Sequence, residues 1–248
     1  MIQFSKEQVY IVTGASSGIG QCVAQLLNEL GATVVGIARN KERLLETKNE
    51  SKFPENFHIE VKDLTEDIEN LPKYVKSLKE KYGKFAGMAY CAGIAEINPL
   101  QILEYDSLKK LFDINYFAPL FLIKGIADRR NNISKNCSIV AISSIAALCS
   151  DKGHSAYSGS KAALCASAKS IARELATSHI RLNCILPSNI KTPMTAIGGE
   201  NYEESQMHLY PFGFGEPVDV ANLAIFLLSD KAKFISGQNY VVDSGGVR

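Results

Sequence analysis

Short apolar runs alternate with helix-like stretches along the chain, and this alternation limits the fold more than any other feature. Seven runs are predicted as strands, at residues 8–13, 33–38, 57–61, 85–91, 137–143, 180–186 and 238–242. Helices are predicted at residues 19–30, from residue 41, and at 66–82, 100–130, 156–178 and 218–228. Strands that alternate with helices over short connections form a parallel sheet with helices on both faces. We therefore predict a doubly wound α/β fold in one domain spanning residues 1–248.

A glycine-rich turn joins the first predicted strand to the first predicted helix. It reads Thr13-Gly-Ala-Ser-Ser-Gly-Ile-Gly20, with a glycine spacing that differs from the common GxGxxG dinucleotide pattern. Glycine allows a tight turn and close backbone approach, and the N–H groups at the start of a helix attract an anion. The place of the turn favours a cofactor phosphate site over the alternative, a connection that binds nothing.

The residues after the second predicted strand indicate which cofactor is preferred. Sites that prefer NAD place Asp or Glu at the end of this strand, but here Ala38 is followed by Arg39, with Arg43 one helical turn further on. A guanidinium can hold a 2′-phosphate with two hydrogen bonds, whereas a carboxylate would repel it. We therefore predict NADP(H), with NAD(H) as the alternative; a solvated arginine at a helix start is the competing interpretation of Arg39.

Three residues form a candidate acid–base group. Tyr157 and Lys161 share one face of the helix predicted from residue 156, and Ser144 follows the fifth predicted strand. A tyrosine with an ordinary pKa of about 10 exchanges protons poorly at neutral pH, and a lysine charge favours the phenolate. We predict that Lys161 lowers the pKa of Tyr157, which exchanges a proton with a substrate oxygen while Ser144 donates a hydrogen bond to it. A Tyr–Lys pair without the other motifs is an ordinary helix surface pair.

Together these motifs resemble the classical short-chain dehydrogenase/reductase family, from Val9 to Gly246. The resemblance implies a Rossmann-type domain with a seven-stranded parallel sheet in the order 3-2-1-4-5-6-7, and hydride transfer to or from a nicotinamide. It implies that Asn115 is catalytic beside Ser144, Tyr157 and Lys161. The cofactor contacts that it implies are Gly14, Ser16, Ser17, Gly18, Ile19, Gly20, Arg39, Asp63, Leu64, Ala92, Gly93, Tyr157, Lys161, Pro187, Ile190 and Thr192.

The chain departs from the family pattern at two turns. Tyr90-Cys91 stands where the family carries two asparagines before Ala92-Gly93, which puts some sheet-stabilising bonds in doubt. After Pro187 the family's glycine is replaced by Ser188, which changes the backbone freedom beside the nicotinamide. Asn189 follows where many members carry an aromatic or apolar residue, so we expect an unusual substrate pocket.

Pro119 lies four residues after Asn115, inside the helix predicted at 100–130. Proline has no N–H, so the main-chain carbonyl of Asn115 loses its helical partner. In the family this carbonyl holds a water that links to the lysine. We hypothesise that Pro119 frees this carbonyl; a simple helix kink is the alternative.

The segment of residues 188–217 is predicted to be irregular and to form a flap over the substrate. Long irregular loops are often lids, and this one contains Thr192, expected at the nicotinamide. Its apolar residues predict a moderately apolar or mixed pocket; they are Tyr202, Met207, Leu209, Tyr210, Phe212 and Phe214. A disordered insertion is the alternative.

The predicted function is an NADP(H)-dependent oxidoreductase of the carbonyl reductase or alcohol dehydrogenase type. A 3-oxoacyl-[acyl-carrier-protein] reductase is an alternative, since such enzymes dock an acidic carrier on basic residues. Lys135 fills one such position, but Ser178-His179 stands at the other. A sugar or steroid ketone, or a small carbonyl compound, is equally open as substrate. A catalytically silent NADP-binding regulator is the alternative from another class.

Charge, cysteines and terminal sequence limit partners and location. The net charge of +1 predicts no nucleic acid or anionic membrane as partner. Six scattered cysteines predict reduced thiols in a cytoplasmic protein, and the N-terminus lacks the layout of a signal peptide. The histidines show no metal-ligand spacing, so no metal is predicted. The family resemblance implies a homotetramer or homodimer built through helices at about 100–130 and 156–178.

Overall fold

Seven parallel strands form one sheet in the order β3-β2-β1-β4-β5-β6-β7. The computed structural model describes residues 1–195 and 202–246. The strands are β1 (Val9–Thr13), β2 (Thr33–Ala38), β3 (Phe57–Val61), β4 (Phe85–Tyr90), β5 (Cys137–Ile142), β6 (Ile180–Pro187) and β7 (Asn239–Val242). The fold class and the strand order predicted from the sequence are therefore confirmed.

Helices cover both faces of the sheet. They are α1 (Gly18–Glu29), α2 (Lys41–Asn49), α3 (Leu71–Tyr82), α4 (Tyr105–Phe112), α5 (Ala118–Ala127), α6 (Ser155–Ala176), α7 (Tyr202–Gln206) and α8 (Pro217–Leu228). None of the helices in the described part of the chain is long and apolar enough to cross a membrane.

The core consists of two apolar layers, one on each face of the sheet. On one face Leu78 of α3, Leu122 of α5 and Leu164 of α6 pack against strand side chains. On the other face Leu27 of α1 and Val220 of α8 do the same. Each buried side chain of this size contributes about 1.5–3 kcal/mol by leaving water. Because β1, β4 and β5 are buried on both faces, they appear in the sequence as nearly continuous apolar runs; β6 is buried as well but carries Arg181 and Asn183.

Two predicted helices differ from the structure. The helix predicted at 66–82 begins only at Leu71, because Asp67 has a left-handed backbone with φ of 57° and a 3₁₀ turn follows at Ile68–Asn70. The helix predicted at 100–130 starts as a 3₁₀ turn, Leu100–Ile102, and continues as α4 and α5. A π-helical turn, Asp113–Phe117, separates α4 from α5.

Candidate active site

A cleft of about 710 Å³ opens along the carboxyl ends of the strands, where open α/β sheets place their ligands. Every residue predicted for the site from the sequence lines this cleft except Asn115, which is fully buried beside it. Those that line it are Gly14, Ser16, Ser17, Gly18, Ile19, Gly20, Arg39, Asp63, Leu64, Ala92, Gly93, Ser144, Tyr157, Lys161, Pro187, Ile190 and Thr192. Lining residues that the sequence analysis did not single out include Asn40, Lys62, Ile94, Lys110, Ile114 and Met194.

The turn between β1 and α1 is closed so tightly that only glycine fits at its end. A Cβ atom on Gly20 would lie 2.3 Å from the Gly14 carbonyl oxygen. Ser17 precedes α1 in an extended conformation, and its side chain does not cap the helix. The first-turn N–H groups of α1 therefore face a cleft that can hold an anion. This cradle fits the phosphate groups of a dinucleotide.

Thr13 ties the end of β1 to the turn after β4. Its hydroxyl oxygen accepts hydrogen bonds from the backbone N–H groups of Cys91 (3.0 Å) and Ala92 (3.1 Å). These bonds hold Ala92 and Gly93 against the cleft, next to the glycine turn. The sequence analysis did not assign this role to Thr13; a threonine at the last position of a buried strand was the available signal.

Arg39 and Asp63 face each other at the end of the cleft beside β2 and β3. Arg39 Nη1 lies 3.6 Å from Asp63 Oδ2, and the Arg39 side chain is 72% exposed. An ion pair this exposed contributes at most about 1 kcal/mol, so Arg39 is free to exchange Asp63 for an anionic ligand. Arg43 lines the same end of the cleft, and its backbone N–H is capped by the Asn40 side chain at 2.8 Å.

Asp63 is held by the residue that follows its turn. The Thr65 hydroxyl and backbone N–H donate to Asp63 Oδ1 at 2.7 and 2.9 Å. Burial by itself would raise the pKa of Asp63, but these hydrogen bonds and the Arg39 charge together lower it. Asp63 is therefore a fixed carboxylate at neutral pH.

Ser144 and Tyr157 meet at the other end of the cleft. Ser144 follows β5, where its Oγ accepts a hydrogen bond from the Ala146 N–H at 3.1 Å. Tyr157 projects from the first turns of α6. Burial raises the pKa of Tyr157, while a hydrogen bond with Ser144 acts in the opposite direction. The prediction that Lys161 brings this pKa toward neutrality is thus wrong for the chain by itself.

Lys161 explains why the sequence-based expectation failed. Its side chain is nearly buried, and Nζ donates to the Ile142 carbonyl at 3.0 Å while lying 5.9 Å from the Tyr157 ring centre. Burial lowers the pKa of Lys161 to about 8. The ammonium is therefore directed to a backbone oxygen, whereas the prediction from spacing placed it beside the Tyr157 hydroxyl.

The buried Asn115 side chain holds the backbone of a residue that lines the cleft. Its side chain exchanges two hydrogen bonds with Ile94, accepting from the N–H at 3.1 Å and donating to the carbonyl at 3.0 Å. It also donates to Ser160 Oγ at 3.1 Å, next to Lys161. A Cβ atom on Gly93 would lie 2.9 Å from Asn115 Oδ1 and 3.3 Å from Lys161 Nζ. Asn115, Lys161 and the turn after β4 therefore form one tightly packed group.

The segment after β6 is more ordered than predicted where the structure describes it. The Thr195 hydroxyl donates to the Ile190 carbonyl at 2.7 Å and accepts from the Thr192 N–H at 3.0 Å. Residues 202–206 form α7, and Tyr210 and Phe214 are buried and pack edge to face. These two rings anchor the segment and do not offer an open apolar surface. Residues 196–201 of the predicted flap lie outside the described residues, as do the side chains of Tyr202 and Met207.

The cysteines and other potential metal ligands form no further site among the described residues. All six cysteines are free thiols. No group of three or more His, Cys, Asp or Glu side chains in residues 1–195 and 202–246 is arranged to hold a metal ion.

Comparison with known proteins identifies close relatives over almost the whole chain. A family model described as enoyl-(acyl carrier protein) reductase matches residues 14–246. The 3-oxoacyl-[acyl-carrier-protein] reductase of Thermotoga maritima is 31% identical over 96% of this chain and 97% of its own. The NAD-dependent glycerol dehydrogenase of Listeria innocua is 34% identical over 96% of this chain and 93% of its own. A solved 7α-hydroxysteroid dehydrogenase in complex with NADH and a 7-oxo bile acid is 27% identical, with a TM-score of 0.91 over 99% of this chain and 96% of that one.

Proposed function

The chain belongs to the short-chain dehydrogenase/reductase family and is an oxidoreductase acting on C=O and CH–OH groups; on that premise we propose that it prefers NADP(H) and reduces a ketone. The observation that carries this proposal is the convergence of Ser144, Tyr157 and Lys161 at one end of a cleft whose other end presents Arg39. A bound nicotinamide would supply or accept the hydride. The glycine turn would hold its phosphates, with Asp63 at the adenine, Thr192 at the carboxamide and Arg39 at a 2′-phosphate.

The acid–base work falls to Tyr157. Burial raises the pKa of Tyr157 further above neutral pH, so the hydroxyl is protonated there and can donate to a carbonyl oxygen that gains negative charge. Ser144 donates a second hydrogen bond to the same oxygen. Lys161 and Asn115 position the ring and the neighbouring backbone, with contacts to Ile142, Ile94 and Ser160. The protonated hydroxyl is the form that the reduction of a ketone requires.

The identity of the basic residue at the cleft supports NADP(H) over NAD(H). An Arg39 guanidinium that is bound only by an exposed ion pair can turn to a phosphate. The relatives differ among themselves, since the names of two of them state NAD or NADH. The cofactor preference of this chain therefore depends on Arg39 and Arg43.

The first experiment is a titration of the protein with NADPH and NADH, followed by nicotinamide fluorescence. We expect tighter binding of NADPH, and we expect Arg39→Asp to weaken it by about ten- to hundredfold, the range for one or two charge-assisted hydrogen bonds. Lys73→Asp, the same charge change on the exposed side of α3 outside the cleft, serves as the control. Tighter binding of NADH by the wild type would overturn the preference.

Turnover separates an enzyme from a silent cofactor-binding regulator. A screen of ketones with NADPH should give oxidation of the cofactor at a rate that depends on the ketone. Binding of NADPH without turnover of any ketone or 3-oxoacyl thioester would favour the regulator.

A 3-oxoacyl-[acyl-carrier-protein] reductase is the second candidate, favoured by the names of several relatives and by one contact. Arg129 Nη2 lies 3.5 Å from Ser178 Oγ, so a positive charge lies just after α6, where the sequence itself carries Ser178-His179. In the same screen, faster turnover of a carrier-linked 3-oxoacyl thioester than of its free thioester would support this candidate.

We also propose self-association and a cytoplasmic location. The face built from α4, the π-helical turn and α5 leaves Tyr105 and Phe117 exposed, which supports a homodimer or homotetramer through these helices and α6. The free thiols support a reducing compartment.

A further inference from the structure

The π-helical turn at Asp113–Phe117 leaves one backbone carbonyl without a possible helical partner. In a π-helix each carbonyl accepts from the N–H five residues ahead, and the Asp113 carbonyl accepts from the Ala118 N–H in this way. The next carbonyl in this register, that of Ile114, would need the N–H of residue 119. That residue is Pro119, which has none.

Tyr90 supplies the missing donor. Its hydroxyl donates to the Ile114 carbonyl oxygen at 2.6 Å, and its ring is completely buried at the end of β4. The hydroxyl gives this carbonyl a donor that Pro119 cannot supply, so the hydrogen bond stabilises the π-helical turn. Tyr90 is also one of the two residues that replace the family's asparagines before Ala92-Gly93.

The residue after Ile114 is Asn115, so the Tyr90 bond acts directly beside the buried part of the site. The Asn115 side chain holds both backbone polar groups of Ile94 and reaches Ser160. Ile94 and Ile114 both line the cleft. A shift of the π-helical turn would therefore move Asn115, the turn after β4 and the surroundings of Lys161 together.

We propose that Tyr90 is a positioning residue for the reaction: its hydroxyl replaces the N–H that Pro119 lacks, and thereby sets the position of Asn115. The earlier hypothesis about Pro119 concerned the Asn115 carbonyl, and that hypothesis stays a prediction. The carbonyl for which the structure provides a donor is that of Ile114. The expected effect of Tyr90 on kcat rests on the proposed reductase function, whereas its expected effect on the position of Asn115 does not.

The test compares Tyr90→Phe with a matched control, Tyr82→Phe. Both remove one hydroxyl; that of Tyr82 donates to Glu60 at 2.7 Å, away from the cleft. We expect Tyr90→Phe to lower kcat about tenfold, as for the loss of one bond in a buried network, and Tyr82→Phe to leave kcat nearly unchanged. Equal kcat values for wild type and Tyr90→Phe would overturn the proposal.

A second variant separates positioning from general damage to the core. Pro119→Ala restores an N–H at position 119, which can serve the Ile114 carbonyl in the π register. We expect the effect of Tyr90→Phe on kcat to be at least about threefold smaller in the Pro119→Ala background. A loss of the same size in both backgrounds would show that Tyr90 does not act through this carbonyl.

Hydrogen exchange provides a readout that does not depend on activity. The Ile94 amide is bonded to Asn115 Oδ1, so Tyr90→Phe should speed its exchange while amides of α1 and α8 exchange as before. Faster exchange throughout the protein, or no change at Ile94, would contradict the proposal. If the wild type reduces no substrate, the proposed function fails while this measurement still decides the role of Tyr90.

Discussion

The two ends of the cleft hold their polar residues in opposite ways. At the β2–β3 end the Arg39 side chain is 72% exposed and rests on a 3.6 Å ion pair with Asp63. At the β5–α6 end Lys161 is 4% exposed and Ser144 is 9% exposed. Burial shifts the pKa values of Tyr157 and Lys161, whereas no such burial constrains Arg39. The proposed chemistry is therefore built into the core, and the proposed cofactor preference is carried by a surface residue that can change at little cost to stability.

The largest expected effect is at the buried end. Tyr157→Phe removes the proposed proton donor while the ring still fills its place, so kcat should fall by about 10²–10⁴-fold. NADPH binding, measured by nicotinamide fluorescence, should stay close to that of the wild type because the phosphate cradle is untouched. Activity equal to that of the wild type would remove Tyr157 from the mechanism and break the contrast between the two ends.

Stability against pH sharpens the same contrast. The pKa of Lys161 is lowered to about 8 in the folded chain, below its usual value near 10.4. Between pH ~8 and ~10.4, Lys161 binds more protons in the unfolded chain than in the folded one. The free energy of unfolding therefore rises as the pH rises across this range, and this gain is lost as the pH falls to about 8. The unfolding free energy of the wild type, minus that of Lys161→Met, should rise by about 3 kcal/mol in total between pH ~8 and ~10.4.

Denaturant unfolding of both proteins at several pH values gives this difference, in which titrations common to both cancel. A difference that is flat across this range would mean that the Lys161 ammonium is well solvated in the folded protein. The burial argument for that end of the cleft would then be wrong.

The smallest expected effect is at the exposed end. Arg39→Ala breaks only the ion pair with Asp63, so the unfolding free energy should change by less than about 1 kcal/mol. Urea unfolding in the absence of cofactor measures it. A loss above about 2 kcal/mol would show that Arg39 is part of the structural framework and cannot be exchanged freely.

The strands and the glycine turn could be predicted because their causes are local. The run from Val9 to Val12 is apolar throughout since both faces of the sheet are covered, and only glycine fits at the tight turn that follows β1. The start of α3 was missed because Glu66, Ile68 and Glu69 extend the helical pattern, while Asp67 has a left-handed backbone and its carboxylate accepts from the Asn70 side chain. Pro72, in the first turn of α3, was the local signal for the true start.

The sequence predicted which residues form the site, but it did not predict the direction of their pKa shifts. Spacing placed Tyr157 and Lys161 on one helix face, but burial, which spacing does not reveal, sets the direction of both pKa shifts. Contacts between distant parts of the chain were also beyond sequence patterns. The Tyr90 hydroxyl meets a carbonyl 24 residues away, and nothing in either segment alone predicts it.

The bonds from Thr13 to the turn after β4 have a consequence for synthesis on the ribosome. Thr13 and its partners Cys91 and Ala92 are 78 and 79 residues apart. At about 5–20 residues per second, Ala92 leaves the ribosome on the order of 4–16 s after Thr13. The glycine turn is therefore made early but is completed only when β4 arrives, so a nascent chain ending before residue 90 should have no competent phosphate cradle.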